Sequence, residues 1–414
     1  MEREKKRMKK KASHKNVSKR VLFIYICLLL AVLGMEAGGL QYHLLLIGRE
    51  MGINATRMGN LVSVQYLAFI LIPLLFGGMG DRYGKKKILI GFGLCFSCGC
   101  LILVVSGGFV PALLGVFLIG AGYSICESTG TSLLADVFGD NASRYINWSQ
   151  SCFSVGALVS PLLGQWMCDG LGLNWRAFFL LLFVIYVVLA IFAASLVFPV
   201  ALHKNETAQI KDPKEMEQAS FTEKTQCRGI FHLVILLAGG IMIYAGMENG
   251  IAYFMGTQVS EVLLTEKYNS LILSVFWIAM IPSRYIVGVI RNKEKLLLKL
   301  SYFGGAVCLA LLFAACSLPL LLLVYGAMGF FFAPIWPLIM SEAGHLDQQN
   351  SGRISGIMVA GCGIGGAVSP TIFGLLADRV GLHASVGFVL AITVTGLCIA
   401  LIYDREQKKR TVSE

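Results

Sequence analysis

Charge is scarce in this sequence. Only 14% of its 414 residues are Asp, Glu, Lys or Arg, against about a quarter in soluble domains. That shortage excludes an ordinary solvated globule, and no segment is long and polar enough to read as a soluble domain for signalling or catalysis. Also missing are a nucleotide phosphate loop, a metal-ligand cluster and a nucleophile placed beside a base, so ATP-driven pumping and membrane-enzyme chemistry have no support. The twelve cysteines lie almost wholly in apolar stretches, as Cys27, Cys95, Cys98, Cys100 and Cys362 do, without the paired spacing of a zinc site or disulfide framework. They read as small apolar filler. No cofactor and no metal is expected.

What the chain has in excess is hydrophobicity: 56% of residues are apolar and the mean hydropathy is +0.72. A membrane-spanning helix needs about 20 mostly apolar residues. Twelve such stretches are expected, at 20–46, 58–80, 87–106, 109–136, 146–168, 176–200, 229–256, 266–290, 296–316, 318–342, 351–378 and 382–404. The first resembles a secretory signal but is too long and lacks a small-residue cleavage site, so it reads as a true span.

If the spans alternate in direction, 30 of the 35 Lys and Arg fall on one side, leaving Arg49, Arg57, Arg176, Lys267 and Arg379 on the other. Positive charge stays in the cytoplasm. Both termini and the 201–228 loop are therefore expected inside a multi-pass protein of the cytoplasmic membrane. The net charge of +11 is then a topology signal, and no nucleic-acid partner is expected.

The chain also repeats itself. A shift of 209 residues lays GALVSP (156–161) on GGAVSP (365–370) and matches Asp169 to Asp378, Gly172 to Gly381, Leu173 to Leu382 and Phe179 to Phe388. Two parallel six-helix halves are a transport architecture, with solute bound near the bilayer midplane. The expected division is a basic tail at 1–19, a six-helix bundle at 20–200, a linker at 201–228, a second bundle at 229–404 and a tail at 405–414. Two decoys fall away. Gly361-Cys-Gly-Ile-Gly-Gly366 fits a dinucleotide pattern but sits in an apolar span with no preceding strand, and reads as a packing face. The Ser-Pro pairs at 160–161 and 369–370 read as helix kinks rather than turns.

Between the second and third spans stands LLFGGMGDRYGKKKILIGFG (74–93). Its Gly77-x-x-x-Asp81-Arg82-x-Gly84-x-Lys86-Lys87 resembles the signature loop of the major facilitator superfamily. The resemblance implies an all-α, twelve-helix fold in two pseudo-symmetric bundles and a cytoplasmic gate at these residues. YAGMENG (244–250), FWIAMIPSR (276–284), FAPIWP (332–337), GCGIGGAVSPTIFGLLADRVG (361–381) and ESTGTSLLADVFGDNASRYINWSQSCFSVGA (127–157) are together similar to the fucose/proton symporter family and its sugar-transporting relatives. That resemblance implies a monomeric symporter of a small polar solute, a sugar, coupled to H+. Glu36 lies near the family's first-helix acid without aligning to it ungapped.

Glu36, Glu127 and Glu248 each interrupt an apolar stretch, at a cost of roughly 2.5–3.5 kcal/mol for a charge at mid-span. They are candidates for proton coupling, since a carboxyl whose water access changes can alternate between neutral and ionised forms. Glu127 is the favoured carrier. Sugars present apolar faces to aromatic rings and hydroxyls to amides, which nominates Asn147, Gln150, Tyr244, Asn249, Trp277 and Trp336 for substrate binding. Tyr42 and His43 are weaker candidates. Proton antiport exporting drugs or metabolites is the alternative function.

Overall fold

The computed structural model describes the backbone of residues 2–76, 79–138, 142–196, 198, 213–290, 293–346 and 351–413. Within these, side chains are described from Lys19 onward except at 81–82, 135, 142–144, 147, 213–230, 288–289, 344–345, 351–353, 355–356 and 410–413. Gly77, residues 201–212 of the 201–228 linker, the side chains of the rest of that linker and the side chains of Asp81, Arg82 and Asn147 therefore lie outside the described residues.

The described chain is helical, with no strand: α1 Glu2–Glu50, α2 Ala55–Phe76, α3 Met79–Tyr83, α4 Lys85–Val105, α5 Phe109–Phe138, α6 Ala142–Gln165, α7 Trp175–Ser195, α8 Pro213–Ala252, α9 Met255–Leu263, α10 Asn269–Val289, α11 Glu294–Leu312, α12 Leu318–Phe332, α13 Ile335–Leu346, α14 Ser351–Arg379 and α15 Leu382–Ser413. A π-helical turn, Trp166–Gly170, follows α6. Among the described residues, twelve helical stretches are long and apolar enough to cross a bilayer, matching the twelve expected spans in number and order. In lipid a spanning segment must satisfy its backbone internally, which is why the apolar runs become helices.

Two spans are broken where the hydropathy pattern is continuous. The seventh stops at Ala252, turns through Tyr253 and Phe254, and resumes as α9. The tenth stops at Phe332 and resumes at Ile335, after Pro334. Proline has no N–H and clashes with the carbonyl four residues earlier, here that of Phe330. The Ser283 hydroxyl donates to this Phe330 carbonyl at 2.5 Å. The same device serves Pro161, where Ser160 Oγ donates to the Ala157 carbonyl at 3.3 Å.

Contacts group the chain into two units, one comprising 1–201 and 252–278, the other 202–251 and 279–414. In the first, α1 lies directly on α6: a Cβ at Gly34 would strike the Phe153 carbonyl, and one at Gly156 the Ala31 carbonyl. Small residues allow such backbone approach in membranes. In the second, Gly365, the repeat partner of Gly156, lies in the same way against the Met242 carbonyl of α8. Gly361 approaches the Ala238 carbonyl, so the dinucleotide-like pattern is a packing face. The repeat extends to backbone conformation, since Gly172 and Gly381 adopt φ of +64° and +106°.

In the first unit, one end of the bundle is tied by Arg176. Its Nε donates to the Val104 carbonyl at 2.9 Å and Nη2 to the Ser106 carbonyl at 3.0 Å, while Nη1 pairs with Glu50. In the signature loop, Gly84 holds φ at +92°, a value that favours glycine, and turns the chain from α3 into α4. Lys85 then pairs with Asp136 of α5 at 2.5 Å, and Lys86 donates to the Ala194 and Leu196 carbonyls at the end of α7, at 2.6 and 2.8 Å. Lys295, the repeat partner of Lys86, binds Gln407 on α15 of its own unit.

Candidate functional site

Glu36, Glu127 and Glu248 were nominated from the interior of apolar stretches, and their surroundings set them apart. Glu36, on α1, is wholly buried. Its Oε1 accepts from Gln65 Nε2 of α2 at 2.9 Å, and its Oε2 has no partner. Gln65 is 2% exposed and its Oε1 accepts from the Tyr253 hydroxyl at 3.4 Å. A buried carboxyl oxygen without a donor is costly for an ionised acid and tolerable for one carrying a proton there.

Glu127, on α5, is half-buried, and accepts from Gln150 Nε2 of α6 at 3.4 Å. Tyr123, one helical turn before it, is buried and lies within electrostatic reach of Glu36, Glu127, Tyr66 and Tyr253. An aromatic wall continues from there: Phe69 and Tyr123 have ring centroids 4.8 Å apart, Tyr123 and Phe153 6.4 Å, and Phe153 and Trp277 6.1 Å. Trp277 ends this series by donating Nε1–H to Gln41 Oε1 at 3.0 Å, both residues being buried. One unit therefore brings together two carboxyls, three amides and several rings. That combination offers flat apolar faces and two-way hydrogen bonding to a polyhydroxylated or similarly polar solute.

The second unit holds a separate group. Glu248 is half-buried on α8, hydrogen-bonds Tyr244 one turn earlier, and feels the charge of Arg284 on α10. Arg284 was counted in the sequence as a cytoplasmic-side cation, yet it lies within the apolar stretch Asn269–Val287. Asn249 Nδ2 donates to the Ala245 carbonyl of its own helix at 2.8 Å, so part of its hydrogen-bonding capacity serves α8. Trp336 is half-buried in the first turn of α13.

Of the residues nominated from sequence, Glu36, Glu127, Gln150 and Trp277 fall in the first group, and Glu248, Tyr244 and Asn249 in the second. Gln41, Gln65, Tyr123, Phe153 and Tyr253 were not nominated. The signal existed for two of them, since Gln41 and Gln65 are amides inside apolar spans, where polar groups need partners. His43 is fully buried, its Nδ1 2.8 Å from the Gly39 carbonyl, and packs against Phe178 at 4.7 Å between ring centroids; Gly164 leaves it room. Among the described residues no cluster of His, Cys, Asp or Glu has the arrangement to hold a metal.

The family model described as Major Facilitator Superfamily matches residues 24–370 and, separately, 237–414. The chain is 25% identical to the chloramphenicol resistance protein CraA of Acinetobacter baumannii over 33% of each sequence. It is 23% identical to the cis,cis-muconate transport protein of Acinetobacter baylyi, over 94% of this chain and 95% of that one. It is 24% identical to the glucose/galactose transporter of Brucella abortus over 81% of each. The match thus spans about a third of CraA but most of the other two. Among solved structures, the nucleoside transporter NupG superposes with a TM-score of 0.72 at 13% identity, covering 94% of this chain and 99% of that one.

Proposed function

Because the chain belongs to the Major Facilitator Superfamily and is a multi-pass membrane transporter rather than an enzyme, we propose that it carries a sugar across the cytoplasmic membrane together with a proton. It works as a monomer by alternating access, with both termini in the cytoplasm. Glu36 carries the proton, and the neighbouring rings and amides of Trp277, Gln41 and Gln150 receive the solute. The observation that carries this reading is the buried Glu36 carboxyl, with Gln65 on one oxygen and no partner on the other. Glu127, favoured from the sequence, is more open and serves the solute or relays the proton. The match to the glucose/galactose transporter over 81% of each chain supports a sugar as solute, and the longer match to the cis,cis-muconate transport protein supports an organic acid as the competing solute.

Moving one charge through 100 mV is worth about 2.3 kcal/mol, and each 1.4 kcal/mol is tenfold. One-proton symport at that driving force therefore concentrates solute about 40-fold. Proteoliposomes given glucose and a proton gradient test this. Wild type accumulates the sugar, while Glu36→Gln exchanges it across the membrane but does not concentrate it. Equal accumulation by both would remove Glu36 from coupling.

The match to CraA favours a second reading, proton antiport exporting drugs or metabolites. Symport and antiport differ in the direction in which protons follow the solute.

A further inference from the structure

The break in the seventh span has no proline, and Ala252, Tyr253, Phe254 and Met255 stand at it with Gly250 and Gly256 on either side. Breaks in membrane helices persist where other groups take up the freed backbone and side-chain polarity. Tyr253 is 4% exposed and Phe254 1%, so the turn is buried. The Tyr253 hydroxyl reaches Gln65, and Gln65 reaches Glu36. Three residues from three separate stretches of chain thus form one hydrogen-bonded line, from an acid to a helix break.

The chemistry of the middle member gives the line a direction. A primary amide has one accepting and one donating end. In the arrangement seen, the donating end faces Glu36 and the accepting end faces the Tyr253 hydroxyl. A proton taken up on the open Oε2 makes an O–H with no acceptor; turning the carboxyl over to present that O–H to Gln65 would place two donors face to face. The amide then turns over, its carbonyl accepts from the acid, and its N–H2 faces Tyr253. The tyrosine must now accept instead of donate. The titratable groups within electrostatic reach of Glu36 are Cys100 on α4, Tyr123 on α5 and Tyr186 on α7, and Tyr123 also senses Tyr253.

We propose that Gln65 relays the protonation state of Glu36 to Tyr253, so that the turn between α8 and α9 holds firm in one protonation state and loosens in the other. Gln65 and Tyr253 are positioning residues: neither carries the proton, and both set what its arrival does. The relay rests on the assignment of Glu36 as proton carrier.

The full chain in lipid nanodiscs tests it with two readouts. The infrared band of the protonated carboxyl that disappears in Glu36→Gln reports the acid. Hydrogen exchange of residues 252–264, corrected for the intrinsic pH dependence of exchange, reports the turn. In wild type, exchange changes about tenfold, the scale of one hydrogen bond, at the midpoint of the infrared titration. Tyr253→Phe, which keeps the ring, keeps the infrared titration and loses the exchange step; Gln65→Leu, which strips the donor from Glu36, moves the infrared midpoint and also loses the exchange step. An infrared titration with no exchange step in wild type overturns the relay alone, as does a step that survives in Tyr253→Phe. A Glu36 band that does not titrate overturns both the relay and the assignment of Glu36.

Discussion

Removing the Arg176 side chain beyond its third carbon, as in Arg176→Met, strips three hydrogen bonds at once. The guanidinium sits on the second residue of α7, its donors reaching the Val104 and Ser106 carbonyls at the end of α4 and the Glu50 carboxylate at the end of α1. It also lies 4.5 Å from the Trp175 ring centroid. Charge-assisted bonds are each worth about 1.5–3 kcal/mol when buried. The two side chains here are 27% and 37% exposed, so water replaces part of what is lost. Glu50 also keeps Trp175 Nε1 at 2.6 Å and Asn174 Nδ2 at 2.9 Å as donors. The net loss is then about 2–4 kcal/mol, or roughly 2–5 °C in melting temperature for a chain of this length. Arg176→Lys recovers less than half, because an ammonium cannot fork toward three acceptors. A thiol-reactive dye that reports exposure of the buried Cys100 and Cys126 follows melting in detergent. A melting temperature for Arg176→Met equal to wild type would refute the view that this residue ties the three helices.

Gly84→Ala forces a side chain into a backbone with φ of +92°. It should cost about 1–2 kcal/mol by the same dye assay, and an unchanged melting point would show that the α3–α4 turn adopts another path. Ser283→Ala removes the donor to the Phe330 carbonyl beside Pro334. A loss of about 1 kcal/mol is expected, and a larger loss in Ser283→Ala than in Ser160→Ala would follow from the shorter bond at the tenth span. Trp277→Phe retains a ring but leaves Gln41, 4% exposed, without its indole donor. Solute affinity should fall about tenfold while exchange transport persists; unaltered affinity assigns Trp277 to packing.

The spans and the repeat were legible because hydropathy and small-residue patterns are local. Gly156 and Gly365 were aligned by sequence alone, and both turn out to be points of helix contact. Gly84 was singled out only as part of the signature loop, and its positive φ emerges from the structure. Neither helix break was expected from the sequence: Pro334 stands at the one in the tenth span, which was read as continuous, and the one at Tyr253 has no proline, only Gly250 and Gly256 on either side. The candidate site was only partly legible. An acid in an apolar run announces itself, so Glu36, Glu127 and Glu248 were all found. Which of them is fully buried depends on partners far along the chain: Gln65 is 29 residues from Glu36 and 188 from Tyr253, and Trp277 is 236 from Gln41. No period in the sequence encodes those distances.

The central claim, proton symport through Glu36, is tested most directly by the pH of a lightly buffered suspension of proteoliposomes at the moment glucose is added, with no gradient imposed. Sugar entering down its own gradient draws protons with it, so the medium turns alkaline, and Glu36→Gln abolishes that change while glucose still enters. Acidification on addition of glucose, or alkalinisation that persists undiminished in Glu36→Gln, would contradict the account.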